Sequence, residues 1–138
     1  MFRREHHVES VSAGSVTQRV DRVMAAVFVK DQDERLARLG EDLSPDFVYV
    51  GPDGVFDGGD GLGEAFAGYR HEEWRHTSLR RTSPVDLHHG YFRFTWARVE
   101  GGATTVEGWG FGSLDESGLI RRVVVFEGLE PGRSAGGA

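Results

Sequence analysis

The stretch Glu107–Ser113, EGWGFGS, alternates glycine with aromatic residues. In a strand, successive side chains point to opposite faces, so Gly108, Gly110 and Gly112 leave one face bare while Trp109 and Phe111 occupy the other. Glycine weakens a strand interior through lost packing and added chain entropy, so three in register raise the question of what approaches that surface. A ligand, a helix and another chain are the available answers.

Outward from this stretch the chain reads as strands. RRTSPVDLHH, YFRFTWARV, TTVEGWGFGSL and LIRRVVVFE are rich in β-branched and aromatic residues. They are separated by Gly90, by Glu100-Gly101-Gly102 and by Asp115-Glu116-Ser117-Gly118. Such spacing predicts an antiparallel meander.

The first half is helical. Val16, Val20, Val23, Met24, Val27 and Phe28 form one stripe of an amphipathic helix, with Ser15 and Gln18 as its capping box. Leu36, Leu39 and Leu43 make a shorter helical face that starts near the DQDE cluster and ends at Ser44-Pro45. FVYVGPDGVFDGG then reads as strand, turn and short strand. Asp60 caps a third helix with Leu62, Ala65, Phe66 and Tyr69 as its stripe. Helices first and strands later predict an α+β domain, three N-terminal helices on a curved, mainly antiparallel sheet. It spans residues 14–130, between mobile tails at 1–13 and 131–138.

Composition narrows the function. The 138 residues, 38% hydrophobic and 28% charged, suit one globular domain with a single core. With no cysteine there is no disulfide framework, thiolate metal site or cysteine nucleophile, and a cytoplasmic location is expected. No apolar run reaches membrane-spanning length, and MFRREHHVES has no signal-peptide character. A net charge of −6 disfavours nucleic acid as a partner.

The order helix, helix, hairpin, helix, meander resembles the NTF2-like superfamily, in particular its SnoaL-like branch. LSPDFVYVGPDGVFDGGDGLGEAFAGY, RRTSPVDLHHGYFRFTW and GWGFGSLDESGLIRRVVVFEG carry the resemblance, which covers roughly Ser15 to Leu129. It implies a cone-shaped domain in which the sheet curls around the helices, with a pocket at the open end and often a sheet-to-sheet dimer. Members include isomerases, polyketide cyclases and dehydratases, beside proteins that only bind. The two carboxyl positions of the ketosteroid isomerase site fall near Gly51 and Gly110. Both are glycine here, so the bare strand lies where relatives place a polar group toward the pocket.

Two registers fit the alternation. In the first, Gly110 shares the pocket face with Tyr91, Arg93 and Thr95 and with Arg121, Val123, Val125 and Glu127. Phe92, Phe94, Trp96, Trp109 and Phe111 then form an outer apolar surface, which predicts a homodimer. In the second, the aromatic face turns to the helices, and Arg93 and Arg121 are solvated.

The first register gives the candidate site. His76, which lies where dehydratase-type relatives carry a histidine, exchanges protons near neutral pH, as does His88 at a strand end. Arg93 binds an oxyanion or carboxylate. Tyr49, on the parity of Gly51, enters the pocket as a donor, with Tyr91, Gly110, Arg121 and Glu127 as further ligand-binding positions. HEEWRH is not a zinc motif, because His71 and His76 are five apart, about 140° around a helix. No metal and no cofactor are expected. The reading is a small-molecule pocket protein for a hydrophobic or polyketide-like compound, as a cofactor-free isomerase, cyclase or dehydratase, with a non-catalytic binding or interaction module as the alternative.

Overall fold

The computed structural model describes residues 11–71 and 76–132. Most of both expected tails, and Glu72 to Arg75 of HEEWRH, lie outside the described residues. The first helix, α1 (Ala13–Ala26), starts a turn before the expected Ser15. Ser12 is the cap: its hydroxyl accepts from the Ser15 amide at 3.1 Å, and the Ser15 hydroxyl donates back to the Ser12 carbonyl at 3.0 Å. The second, α2 (Gln32–Asp42), is capped by Asp31, whose carboxylate accepts from the Glu34 amide.

Asp42 ends α2 fully buried, and Arg19 and Arg22 of α1 reach it at 2.9 and 2.7 Å. The hydrogen bond to Asp42 raises the Arg22 pKa. A carboxylate taken out of water demands such partners, and these lock α1 onto α2. At the other end of α1, Arg70 Nη1 donates to the Val27 carbonyl and Arg35 Nη1 to that of Val29. Both guanidinium groups complement the negative end of the helix dipole.

Strand β1 (Leu43–Gly51) begins earlier than Phe47 and contains Pro45. It pairs with β2 (Gly54–Asp57) only from Val48 to Gly51, and its pairing on the other side skips from Leu43 to Val48. Pro45 therefore sits in a bulge where no ladder needs its missing N–H. The expected third helix is two pieces, α3 (Gly58–Ala65) and α4 (Ala67–His71), so the helices number four among the described residues. Asp57, not Asp60, stands at the N-cap position of α3. The break falls at Phe66, and Arg70 claims the Gly63 carbonyl at 2.8 Å.

RRTSPVDLHH is also split, into β3 (Thr77–Arg81) and β4 (Asp86–His88). Both pair with β5 (Tyr91–Glu100), and the Pro84 interruption serves Thr95 instead: its amide donates to the Ser83 hydroxyl and its carbonyl accepts from Thr82. With β6 (Ala103–Leu114) and β7 (Ile120–Glu127), the sheet runs β2-β1-β7-β6-β5-β3. All neighbours are antiparallel except β1 with β7. Helices pack on one face of this open, curved sheet, an α+β cone. Among the described residues no helix is long and apolar enough to cross a membrane.

The register resolves the two faces. Phe92 lies opposite Gly112, Phe94 opposite Gly110 and Trp96 opposite Gly108, so these rings share the glycines' face. All three are buried in the core, at 4, 4 and 6% exposure. This corrects the expectation that placed Tyr91, Arg93 and Thr95 beside Gly110 and Phe92, Phe94 and Trp96 outside. What approaches the bare strand is its neighbour. A Cβ at Gly110 would stand 2.6 Å from Phe94 Cζ, one at Gly108 2.7 Å from Trp96 Cζ2, and one at Gly112 would run into the Phe92 ring. Rings from one strand thus fill the side-chain layer that the glycines leave empty on the next.

Candidate functional site

Between the helices and the inner sheet face lies a cavity of about 130 Å³. Its apolar walls follow from the patterns that fold the chain. The α1 stripe supplies Val20, Val23, Met24 and Val27, and the sheet supplies Phe47, Phe94, Trp96, Val123 and Val125. Leu62, Ala65 and Phe66 close it from α3 and the break that follows.

One end is polar. Because β1 and β7 run parallel, their C-terminal ends meet at the same edge and bring together Tyr49, the Asp53 turn and Glu127. Arg98 lies at this edge too, next but one after Trp96, which pairs with Gly108 opposite Glu127. Its Nη1 donates to the Tyr69 hydroxyl at 2.8 Å, and its guanidinium covers the Tyr69 ring at 5.2 Å. Arg98 Nε stands 3.1 Å from Glu100 Oε2, an ion pair by distance in which the N–H is not aimed at the oxygen.

Tyr49 is the most deeply set polar group of this end, only 9% exposed. Its ring folds back over Gly51, where a Cβ would come within 2.8 Å of the hydroxyl oxygen. Glycine at 51 thus gives the tyrosine its place. Among the described residues the hydroxyl makes no hydrogen bond. Burial first, then the charges of Asp53 and Glu127 and the neighbouring Tyr69, push its pKa up to about 12. At neutral pH it is an un-ionised donor facing the cavity.

Of the expected site residues, the structure brings Tyr49 and Glu127 together at the cavity. Gly110 lies on the inner face but behind the Phe94 ring, so it borders no open space. The others are elsewhere. His76 is exposed at the start of β3, and His88 is exposed at the end of β4. Tyr91 is 69% exposed. Arg93 lies on the outer face, paired with Asp86 at 2.9 Å, and Arg121 is exposed 3.4 Å from Asp46. Tyr69, Arg98 and Asp53 were not singled out by sequence. Arg98 had a signal: it continues the even-numbered row Phe92, Phe94, Trp96, a charge at the end of a core stripe. Among the described residues no cluster of three His, Asp or Glu side chains could hold a metal ion.

Neither a protein-family model nor a curated protein matches the chain. Solved structures do. A candidate isomerase of the SnoaL-like family from Agrobacterium tumefaciens superposes with a TM-score of 0.70 at 21% identity, over 81% of this chain and 96% of that one. A candidate polyketide cyclase from Sinorhizobium meliloti gives 0.59 at 12% identity, over 83% and 99%. An NTF2-like protein of unknown function from Cytophaga hutchinsonii gives 0.57 at 13%, over 86% and 92%. At such identities the likeness concerns the fold, and the chain has the NTF2-like, SnoaL-like fold.

Proposed function

We propose that the protein binds one small, mainly apolar molecule in its cone, with the Tyr49 hydroxyl as hydrogen-bond donor. The observation that carries this reading is an apolar cavity with, at its polar end, a tyrosine that is nine-tenths buried and whose hydroxyl has no hydrogen-bond partner among the described residues. A dry cavity of about 150 Å³ accepts benzene, so the space here suits a single ring, and a larger polyketide-like compound would project through the polar end. Val125→Phe tests this directly. A ring added to the cavity wall should abolish binding of a phenyl-sized probe, followed by ligand-observed NMR, while the fold persists because the added volume enters empty space. Unchanged probe binding by a folded variant overturns the reading.

One observation favours a catalytic version, a cofactor-free isomerase, cyclase or dehydratase. The polar end sets a carboxylate, Glu127, near a protonated hydroxyl, Tyr49, groups suited to accept and donate a proton. His76, His88 and Arg93 do not reach this end, so the chemistry would run on Tyr49 and Glu127. Turnover that survives both Glu127→Gln and Tyr49→Phe excludes that version.

We also propose that a second copy of the chain covers the outer sheet face. Phe92, Phe94 and Trp96 belong to the core, but Trp109, Phe111 and Phe126 still form a contiguous aromatic group there. Trp109 stacks on Phe111 and Phe111 meets Phe126 edge-on, both at 5.9 Å, and Phe126 is 57% exposed.

A further inference from the structure

We infer that the polar end of the cavity selects a positive charge, so that the ligand is a small apolar cation: an ammonium head on a ring-sized body. This inference rests on reading the cavity as a ligand pocket and names the class of ligand it takes.

Four rings follow one another around this end. Tyr49 lies 6.1 Å from Phe56 and 6.0 Å from Phe66, and Phe66 lies 6.0 Å from Tyr69. All four line the cavity. Aromatic faces carry negative quadrupole density and attract cations, most strongly where water is scarce. The fixed charges agree in sign. Asp53 and Glu127 line the same end, and among the described residues neither carboxylate has a hydrogen bond or an ion pair.

Among the described residues the lining holds one cation, Arg98, whose Nε–H is a buried donor with no acceptor. Arg98 is neutralised by Glu100, donates to Tyr69 and lies over the Tyr69 ring. An anionic ligand would meet two carboxylates without an ion pair and, among the described residues, one cation already set beside Glu100. A neutral one would leave Glu127, the less exposed of the two, without a counter-ion. An ammonium would be attracted both by the carboxylates that line this end and by its rings. Tyr49 does not oppose this choice, since its un-ionised hydroxyl presents an oxygen lone pair to an ammonium as readily as a proton to an acceptor.

Three probes with one body separate the possibilities: 2-phenylethylammonium, 2-phenylethanol and phenylacetate, each titrated by NMR at neutral pH and low salt. The ammonium should bind roughly tenfold or more tighter than the alcohol, with the carboxylate weakest. Glu127→Gln should weaken ammonium binding far more than alcohol binding and so erase most of that preference. Asp53→Asn, in an exposed turn, supplies a second variant should the first fold poorly. Equal binding of ammonium and alcohol, or tighter binding of phenylacetate, overturns the charge inference and leaves the pocket standing. Failure of all three probes to bind overturns both.

Discussion

Tyr49 shows how one residue's surroundings set its chemistry. A phenol with an ordinary pKa near 10 sits where burial and two carboxylates oppose its ionisation, and its value rises to about 12. Below pH 10 it is neutral in both the folded and the unfolded chain. Between about pH 10 and 12 the unfolded chain loses this proton while the folded one keeps it, so stability falls across that window, and the loss is complete above it. The size is about 2–3 kcal/mol, following about 1.4 kcal/mol per pKa unit. Denaturant melts from pH 9 upward should show this decline, and Tyr49→Phe should flatten it; a wild-type phenolate titration complete by pH 10 contradicts it. Tyr49 and Glu127 were both legible in sequence, the first from strand parity and the second from its place along β7. The remainder of the site was not. Asp53 was read only as turn chemistry, Tyr69 only as a helix stripe, and the ring cluster needs the break at Phe66, itself neither glycine nor proline.

At the scale of elements, the glycine row of β6 and the ring row of β5 are one structural unit. Gly110→Ala should cost roughly 1–3 kcal/mol, because the new methyl group must displace the Phe94 ring. Phe94→Ala alone should cost about 3–5 kcal/mol through the lost ring and its cavity. In the double variant the alanine at 110 should lose its penalty, giving a coupling of about 1 kcal/mol or more by denaturant melts; strict additivity would show that the ring and the glycine do not depend on each other. The strands themselves were legible from alternation and turn residues. Their register was not, because a glycine face carries no hydrophobic signal of its own, so a reading anchored on Gly110 could slide by one residue and exchange the faces of β5. The burial of Phe92, Phe94 and Trp96 follows from their own apolarity, set against Arg93 and Thr95 between them. The Ser12 cap was hidden for a related reason: the apolar stripe begins at Val16, a turn after the helix does.

For the whole molecule, the outer face makes assembly testable. Wild-type protein should sediment as a dimer at micromolar concentration, and Phe126→Glu should give a folded monomer, since the ring it replaces is 57% exposed and outside the core. A wild-type monomer overturns the proposed interface. The overall architecture was legible because the switch from helical to alternating periodicity lies in the chain order itself. The sheet has one further consequence, for the order of events during synthesis. The parallel join of β1 to β7 links Val50 with Val124, partners roughly seventy residues apart. As the chain leaves the ribosome, β1 has only β2 beside it, and the apolar stripe of α1 faces a half-built sheet until Ile120–Glu127 has emerged. The strand that closes the cone is thus made after the six others described, and the cavity, which it helps to line, cannot exist before it.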